Sequence, residues 1–139
     1  MIKFAETEEE ILNCFAVLSP LRPHLSFEEF SVRFQRLSNK TNYKLVYLYT
    51  DNIKAVAGIR ISEWLHTGKY LEIEELITAP EERSKGFGGA LFDWILAYAK
   101  EQECSQLRLI SGNSRERAHQ FYLDKGMIWE AKYFSIDVC

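Results

Sequence analysis

Apolar residues recur every three or four positions in the first part of the chain, which is the spacing of an amphipathic helix. Residues 7–10 and 26–29 each consist of Thr or Ser, two further residues and Glu, the form of a capping box at a helix start. The pattern therefore predicts two helices, over about residues 8–18 and 27–38. Residues 2–5, ahead of the first helix, predict a short strand.

The hydrophobic period changes to two after the second helix. Residues 43–49 and 55–64 are rich in aromatic and β-branched residues, and Asp51-Asn52 between them predicts a turn, so the two segments indicate an antiparallel hairpin. Residues 66–69 predict another turn that leads into a third strand, residues 70–78. Three sequential strands are expected to form a meander.

The second half of the chain begins with a long apolar stretch. Residues 90–104 are apolar around most of a helical circumference, which predicts a helix packed deeply against the sheet. Residues 107–110 predict a short strand, and residues 113–125 a helix that Asn113 or Ser114 caps and Gly126 ends. Residues 128–138 predict one or two last strands.

This order of elements predicts the fold class. Residues 70–110 form a strand, helix, strand unit, whose crossover makes its two strands parallel, whereas the hairpins are antiparallel. We expect a single α+β domain over residues 1–139, with a central mixed, mostly antiparallel sheet of six to seven strands and helices on both faces.

Composition and charge narrow the class of protein. Of the 139 residues, 47% are hydrophobic and 14% aromatic, enough large side chains for a core without metals or disulfides. A net charge of −3 lacks the basic footprint of a nucleic-acid binder, and no apolar run reaches the length of a membrane span, so we expect neither partner. The acidic start of the chain predicts a cytoplasmic protein. The three cysteines and three histidines lack metal-ligand spacing, so no metal is expected.

Three of the seven glycines lie in Arg83-Ser84-Lys85-Gly86-Phe87-Gly88-Gly89-Ala90, between a predicted strand and the long helix. Glycines allow successive backbone N–H groups to point into one concavity, and the helix N-terminus and two basic residues add positive charge. This pattern predicts a site for a phosphate or pyrophosphate, with an ordinary solvated turn as the alternative. The P-loop and the Rossmann fingerprint are both absent.

The glycine stretch and a second motif together resemble the GNAT superfamily of acetyl-CoA-dependent N-acetyltransferases. Residues 83–88 are similar to the family's [RQ]-x-x-G-x-[GA] loop, and Asn113 with residues 118–127 is similar to its N-x(4)-A-x-x-F-Y-x-x-x-G-[FM] stretch. The resemblance implies a GNAT-like acyl-CoA N-acyltransferase fold, with acetyl-CoA as co-substrate. The expected cofactor-binding residues are Leu76, Ile77, Thr78, Arg83, Ser84, Lys85, Gly86, Phe87, Gly88, Gly89, Ala90, Asn113 and Phe121.

Transfer to an amine needs a group that accepts a proton, because an aliphatic amine is mostly protonated at pH 7. Strict alternation in the third meander strand places Glu75 on the same face as Leu71, Ile73 and Ile77, so its carboxylate is expected at a bulge or in a cleft. Family members that resemble this chain often carry an acidic pair here. Glu74 and Glu75 are the catalytic candidates and Glu72 a substrate-binding candidate, with a polar solvent-facing strand as the alternative.

Departure of the coenzyme A thiolate is eased by a proton donor, and Tyr122 matches the tyrosine that many of these enzymes use. Packing beside Phe121 is its alternative role. His24 lies in a loop that in this family can form one wall of the acceptor site, with a surface or packing role as the alternative. The predicted activity is direct acetyl transfer to a primary amine, either of a cationic small molecule or of a peptide or lysine, in a monomer or homodimer. A non-catalytic acyl-CoA sensor and an ATP-binding protein are the alternatives.

Overall fold

Five strands and four α-helices make up the secondary structure of the computed structural model, which describes all 139 residues. Their bounds are β1 Ile2–Phe4, α1 Glu8–Leu18, α2 Phe27–Thr41, β2 Lys44–Tyr49, β3 Ile53–Trp64, β4 Gly68–Thr78, α3 Phe87–Glu101, β5 Gln106–Leu109 and α4 Glu116–Asp124. Two compact units divide the chain, Met1–Arg108 and Leu109–Cys139. No helix combines the length and the apolar character that a membrane crossing requires.

The strands form one mixed sheet in the order β1-β2-β3-β4-β5. β1 to β4 pair antiparallel with their neighbours, which confirms the predicted meander. Both predicted capping boxes are present: Thr7 and Ser26 accept from the backbone N–H groups of Glu10 and Glu29, whose side chains accept from the N-cap backbones. Asn42, in the left-handed region, ends α2.

Helices cover both faces of the sheet in the first unit. Tyr43, Leu45 and Tyr47 alternate along the chain and pack against α1 and α2, together with Val56 and Ile77. The opposite face carries Phe4, whose ring contacts Trp94 and Tyr98 of α3 edge to face at 5.5 and 5.4 Å. The apolar α3 is buried through residues that recur at helical spacing, namely Leu91, Phe92, Ile95 and Ala99.

The second unit differs from the sequence prediction. α4 begins at Glu116 with Arg115 as its N-cap, rather than at Asn113 or Ser114, and Gly126 follows it with the expected positive φ of 95°. The one or two strands predicted over residues 128–138 are wrong, so the sheet has five strands instead of six to seven. These residues have strand-like alternation, but alternation by itself does not supply the partner strand that a strand needs, and they form no strand.

Candidate active site

A β-bulge in β4 positions the glutamates that the sequence singled out. Gly58 of β3 lies opposite Glu75 and the next residue, Ile59, lies opposite Ile73, so Glu74 is the extra residue in β4. The bulge confirms one of the two expected settings for Glu75. It also corrects the strict alternation, because the register now places Glu75 with Ile77 on the α1/α2 face, whereas Ile73 is on the α3 face.

Two donors hold the Glu75 carboxylate, which is 13% exposed. The Tyr43 hydroxyl donates to Oε1, and Arg22 Nη2 donates to Oε2 at 2.9 Å. Burial first, and then the neighbouring Glu75 charge, raise the pKa of Tyr43 well above its ordinary value, so its proton stays available for the hydrogen bond. Arg22 Nη2 also donates to the Glu74 carbonyl at 3.2 Å, which ties the loop after α1 to the bulge.

Gly58 makes room for this arrangement. A Cβ at this position would lie 1.9 Å from the Tyr43 hydroxyl oxygen and 2.3 Å from Glu75 Oε1, closer than any real Cβ contact. Any side chain here would therefore displace the Tyr43–Glu75 pair.

Glu74 and Glu72 each face an arginine as well. Arg60 Nη2 lies 2.8 Å from Glu74 Oε2 in an ion pair that lacks hydrogen-bond geometry. Burial raises the pKa of Glu74 above its ordinary value although Arg60 opposes the shift. Arg108 Nε and Nη2 both lie 3.0 Å from Glu72 Oε1. Each of the three glutamates is thus paired with one arginine, so the cluster has little net charge.

The Arg108 guanidinium contacts two neighbouring aromatic rings. Its central carbon is 3.9 Å from the Trp64 ring centroid and 3.7 Å from that of Tyr70. Cation–π contact with both rings holds the guanidinium beside Glu72. His24 is exposed, whereas Arg22, two residues earlier in the same loop, contacts Glu74 and Glu75.

The predicted glycine loop leads directly into α3. Gly86 is the N-cap at φ 87°, and no side chain caps the helix, so the first backbone N–H groups of α3 have no partner from a capping side chain. Ser84 is also left-handed, at φ 65°. Arg83, Ser84, Lys85, Gly86 and Ala90 are exposed, and Phe87, Gly88 and Gly89 are half-buried. Free amides at a helix start, with basic side chains beside them, fit the diphosphate of coenzyme A.

A chain of ion pairs centred on the buried Lys54 and Glu82 side chains lies beside this loop. Lys54 Nζ lies 3.0 Å from Glu82 Oε1 and 2.9 Å from Asp51 Oδ1, and Lys85 Nζ donates to Glu82 Oε2 at 3.1 Å. Hydrogen bonds from Lys54 and Lys85 hold the pKa of Glu82 below its ordinary value. Lys54 Nζ also lies 5.9 Å from the ring centroid of Phe87, the first residue of α3.

The end of β4 lies next to this loop. Leu76, Ile77 and Thr78 pair with Ala57, Val56 and Ala55 of β3 and directly precede the turn into the loop. A Cβ on Gly88 would lie 3.0 Å from Thr78 Oγ1, so the strand end and the helix start are in contact. The glutamates therefore lie in the same strand whose end contacts the start of α3.

The second unit contains the other motif. Tyr122 is half-buried, and its ring meets that of Phe121 edge to face at 5.4 Å. Burial raises the pKa of Tyr122 above its ordinary value, so its hydroxyl carries a proton at neutral pH. Asn113 is exposed in the turn before α4, where His119 Nε2 lies 2.8 Å from the Gly112 carbonyl oxygen.

Some residues at the site could not have been found in the sequence. Arg22, Tyr43, Gly58 and Arg60 reach the glutamates only through pairings between distant parts of the chain, and none belongs to a local motif. Lys54 gives no signal either, because it lies about thirty residues from Glu82, its partner. No group of three or more His, Cys, Asp or Glu side chains is arranged to hold a metal ion.

Comparison with known proteins places the chain in a family. Residues 5–127 match the Acetyltransferase (GNAT) family. An uncharacterized N-acetyltransferase, YhdJ, of Bacillus subtilis (strain 168) is 33% identical over 125 residues, which cover 89% of this chain and 88% of that protein. The aminoalkylphosphonate N-acetyltransferase of Salmonella typhimurium is 24% identical over 128 residues, covering 90% and 82%. The crystal structure of a GNAT family acetyltransferase of Staphylococcus aureus superposes with a TM-score of 0.80 at 19% identity, covering 99% and 98% of the two chains.

Proposed function

The chain belongs to the GNAT acetyltransferase family, and we propose that it moves the acetyl group of acetyl-CoA directly to a primary amine. The observation that carries the proposal is the uncapped start of α3 behind a glycine loop, in contact with the same strand that carries the paired glutamates. Its free amides, with Arg83 and Lys85, would hold the diphosphate, and the thioester arm would run along residues 76–78 toward the bulge.

Each residue has a proposed role in the transfer. Backbone N–H groups of Leu76, Ile77 or Thr78 would polarise the acetyl carbonyl. The amine nitrogen forms a bond to the carbonyl carbon as the carbon–sulfur bond breaks. Glu74, whose pKa is raised, accepts the amine's proton directly or through water, and Tyr122 gives its proton to the departing thiolate. Glu75, held by two donors, serves to position the bulge.

The acceptor class is the finer part of the proposal. The acidic residues favour a cationic small molecule, or the amine of a peptide or lysine, as the acceptor. Glu72 and His24 are the residues proposed to bind it. The charges of the three arginines balance those of the three glutamates, however. The net charge of the cluster therefore gives a purely cationic amine no preference over an amine that also carries an anionic group. The similarity to an aminoalkylphosphonate N-acetyltransferase supports including that second type of amine in any screen.

Calorimetric titration with acetyl-CoA, followed by a thiol-release assay over both types of amine, tests the function. Arg83→Glu is expected to weaken acetyl-CoA binding roughly tenfold or more, because it replaces a charge-assisted contact with repulsion. Lys100→Glu is the matched control, since Lys100 is also an exposed basic residue but lies in the last turn of α3. Equal affinities for both variants would remove the loop from the proposal, and binding without thiol release for any amine would indicate a sensor.

Gly88→Glu gives a second, steric test of the loop. The Cβ of the new glutamate would lie 3.0 Å from Thr78 Oγ1. Its carboxylate would compete with the diphosphate for the backbone N–H groups at the start of α3. We expect loss of acetyl-CoA binding with retention of the circular dichroism spectrum. Stabilisation of the wild type by ATP but not by coenzyme A in a thermal-shift assay would favour a nucleotide-binding protein instead.

A further inference from the structure

Three arginines pair with the glutamate cluster, and they differ in how completely the protein binds them. Arg22 donates to two backbone carbonyls and to the Glu75 carboxylate. Arg108 places Nε and Nη2 on Glu72 and contacts two aromatic rings. Each of these two guanidinium groups is therefore held by several partners, which leaves it little freedom to bind anything else.

Arg60 is held less completely than the other two. Its ion pair with Glu74, from Nη2 to Oε2 at 2.8 Å, lacks hydrogen-bond geometry. Arg60 Nε and Glu74 Oε2 are both buried, and no protein group forms a hydrogen bond with either atom. Buried polar atoms without a hydrogen bond are uncommon in folded proteins and reduce stability. The Arg60–Glu74 pair is therefore poorly arranged for stability, which points to a role in binding.

The register of β3 and β4 places Arg60 beside the glutamates. Arg60 lies opposite Glu72 of β4. It is two positions along β3 from Gly58, which lies opposite Glu75. Residues two apart in a strand share a face, so Arg60 is on the same face of the sheet as Glu72 and Glu75. The Arg60 side chain is 31% exposed, so a small molecule that reaches the glutamates also reaches part of the arginine.

The proposed transfer removes the partner of Arg60. When Glu74 accepts the proton of the amine, its carboxylate becomes neutral, and the Arg60 charge then has no anion beside it. A partly buried charge that loses its partner is strongly destabilised. The neighbouring carboxylates of Glu72 and Glu75 do not replace it, because each is bound by donors of its own. A second anion in contact with the guanidinium would avoid this cost.

We propose that Arg60 binds an anionic group of the acceptor amine, a carboxylate or a phosphonate. A guanidinium offers two parallel N–H donors, the geometry that pairs with either kind of oxyanion. Because Arg60 lies 2.8 Å from Glu74, the proposed proton acceptor, the amine and the anion belong to one small molecule and are joined by a short chain. This assignment rests on the proposed acetyl transfer, since it takes Glu74 as the group that receives the proton.

Matched amines test the proposal by binding and by turnover. The probes are short ω-amino acids and ω-aminoalkylphosphonates, compared with the amide and the diamine of the same chain length. Two quantities are measured for the wild type: kcat/KM for thiol release, and affinity for the protein saturated with coenzyme A, by calorimetry. Both should be about ten- to a hundredfold higher for at least one of the two anionic amines than for its amide or diamine. A wild type that does not distinguish the anionic amines from the amide overturns the proposal.

Arg60→Gln should reduce this preference to a ratio of about one, because it removes the charge that distinguishes the acid from the amide. A structural effect of the substitution on Glu74 would change the values for all amines alike, so the ratio isolates recognition of the anion. Arg36→Gln is the matched control, since it makes the same charge change at an exposed position of α2, and it should keep the full preference. Arg60→Lys, which retains the charge, should restore part of it. A preference that persists in Arg60→Gln overturns the assignment to Arg60.

The two measurements separate this inference from the proposed function. Thiol release for all amines without any preference refutes anion binding by Arg60 and leaves acetyl transfer standing. Tighter binding of the anionic amine that Arg60→Gln abolishes, without thiol release for any amine, supports the anion site and refutes the transfer. A circular dichroism spectrum equal to that of the wild type shows that each variant is folded.

Discussion

Replacing Gly58 with alanine tests the packing on which the glutamate site depends. The new Cβ would lie 1.9 Å from the Tyr43 hydroxyl oxygen, so the phenol or the strand must move. Tyr43 is 5% exposed and its ring packs edge to face on Phe34, which leaves it little room to retract. Overpacking of this kind costs about 1 to 3 kcal/mol. Separating the hydroxyl from the charged Glu75 adds about 1.5 to 3 kcal/mol.

We therefore expect Gly58→Ala to lower the free energy of unfolding by about 2.5 to 6 kcal/mol, measured by urea denaturation. Tyr43→Phe alone should lower the free energy of unfolding only by the contribution of the lost hydrogen bond to Glu75, about 1.5 to 3 kcal/mol. The Gly58→Ala/Tyr43→Phe double variant should lose less unfolding free energy than the two single variants lose together. The reason is that the Tyr43 hydroxyl oxygen, the atom nearest to the new Cβ, is then absent.

Gly112→Ala is the matched control, since nothing lies within 4 Å of a Cβ at that glycine. Its free energy of unfolding should change by less than about 1 kcal/mol. If Gly58→Ala is as mild as this control, or if the Gly58 and Tyr43 substitutions are simply additive, the reasoning about the site is wrong.

Three other predictions concern catalysis, the cofactor loop and acid stability. Tyr122→Phe should lower kcat more than it raises the KM for acetyl-CoA, and equal kcat values would leave Tyr122 with a packing role. Lys54→Met removes one of the two lysine partners of the buried Glu82, so the KM for acetyl-CoA should rise several-fold at nearly constant kcat; an unchanged KM would show that the Lys54 ion pairs do not position the loop. The hydrogen bond from the Tyr47 hydroxyl lowers the pKa of Glu10 from 4.5 to about 2, and hydrogen bonds from the backbone and from Lys3 add to the shift although burial opposes it. This group stabilises the fold above about pH 4.5 and less as the pH falls toward 2, so Glu10→Gln should show a shallower loss of stability over that range in acid titrations followed by circular dichroism.

Local patterns in the sequence predicted most of the first unit. The capping boxes at Thr7 and Ser26 and the three meander strands depend on neighbouring residues, and all were confirmed. Helix propensity and capping act within a few residues, so they can be read before the tertiary structure is known. The same local logic failed for residues 128–138, because a strand pattern describes a side-chain arrangement and not the presence of a partner strand.

The sequence by itself determined the glycine loop, the acidic strand and the motif around Tyr122, since each is a short run of adjacent residues with its own chemistry. Only the tertiary structure decided that a bulge moves Glu75 to the α1/α2 face, where Arg22 and Tyr43 bind it. It also decided that every glutamate of the cluster has an arginine partner. Those contacts join residues more than ten and up to about fifty positions apart, and their distances are set by strand register and helix packing rather than by any local pattern.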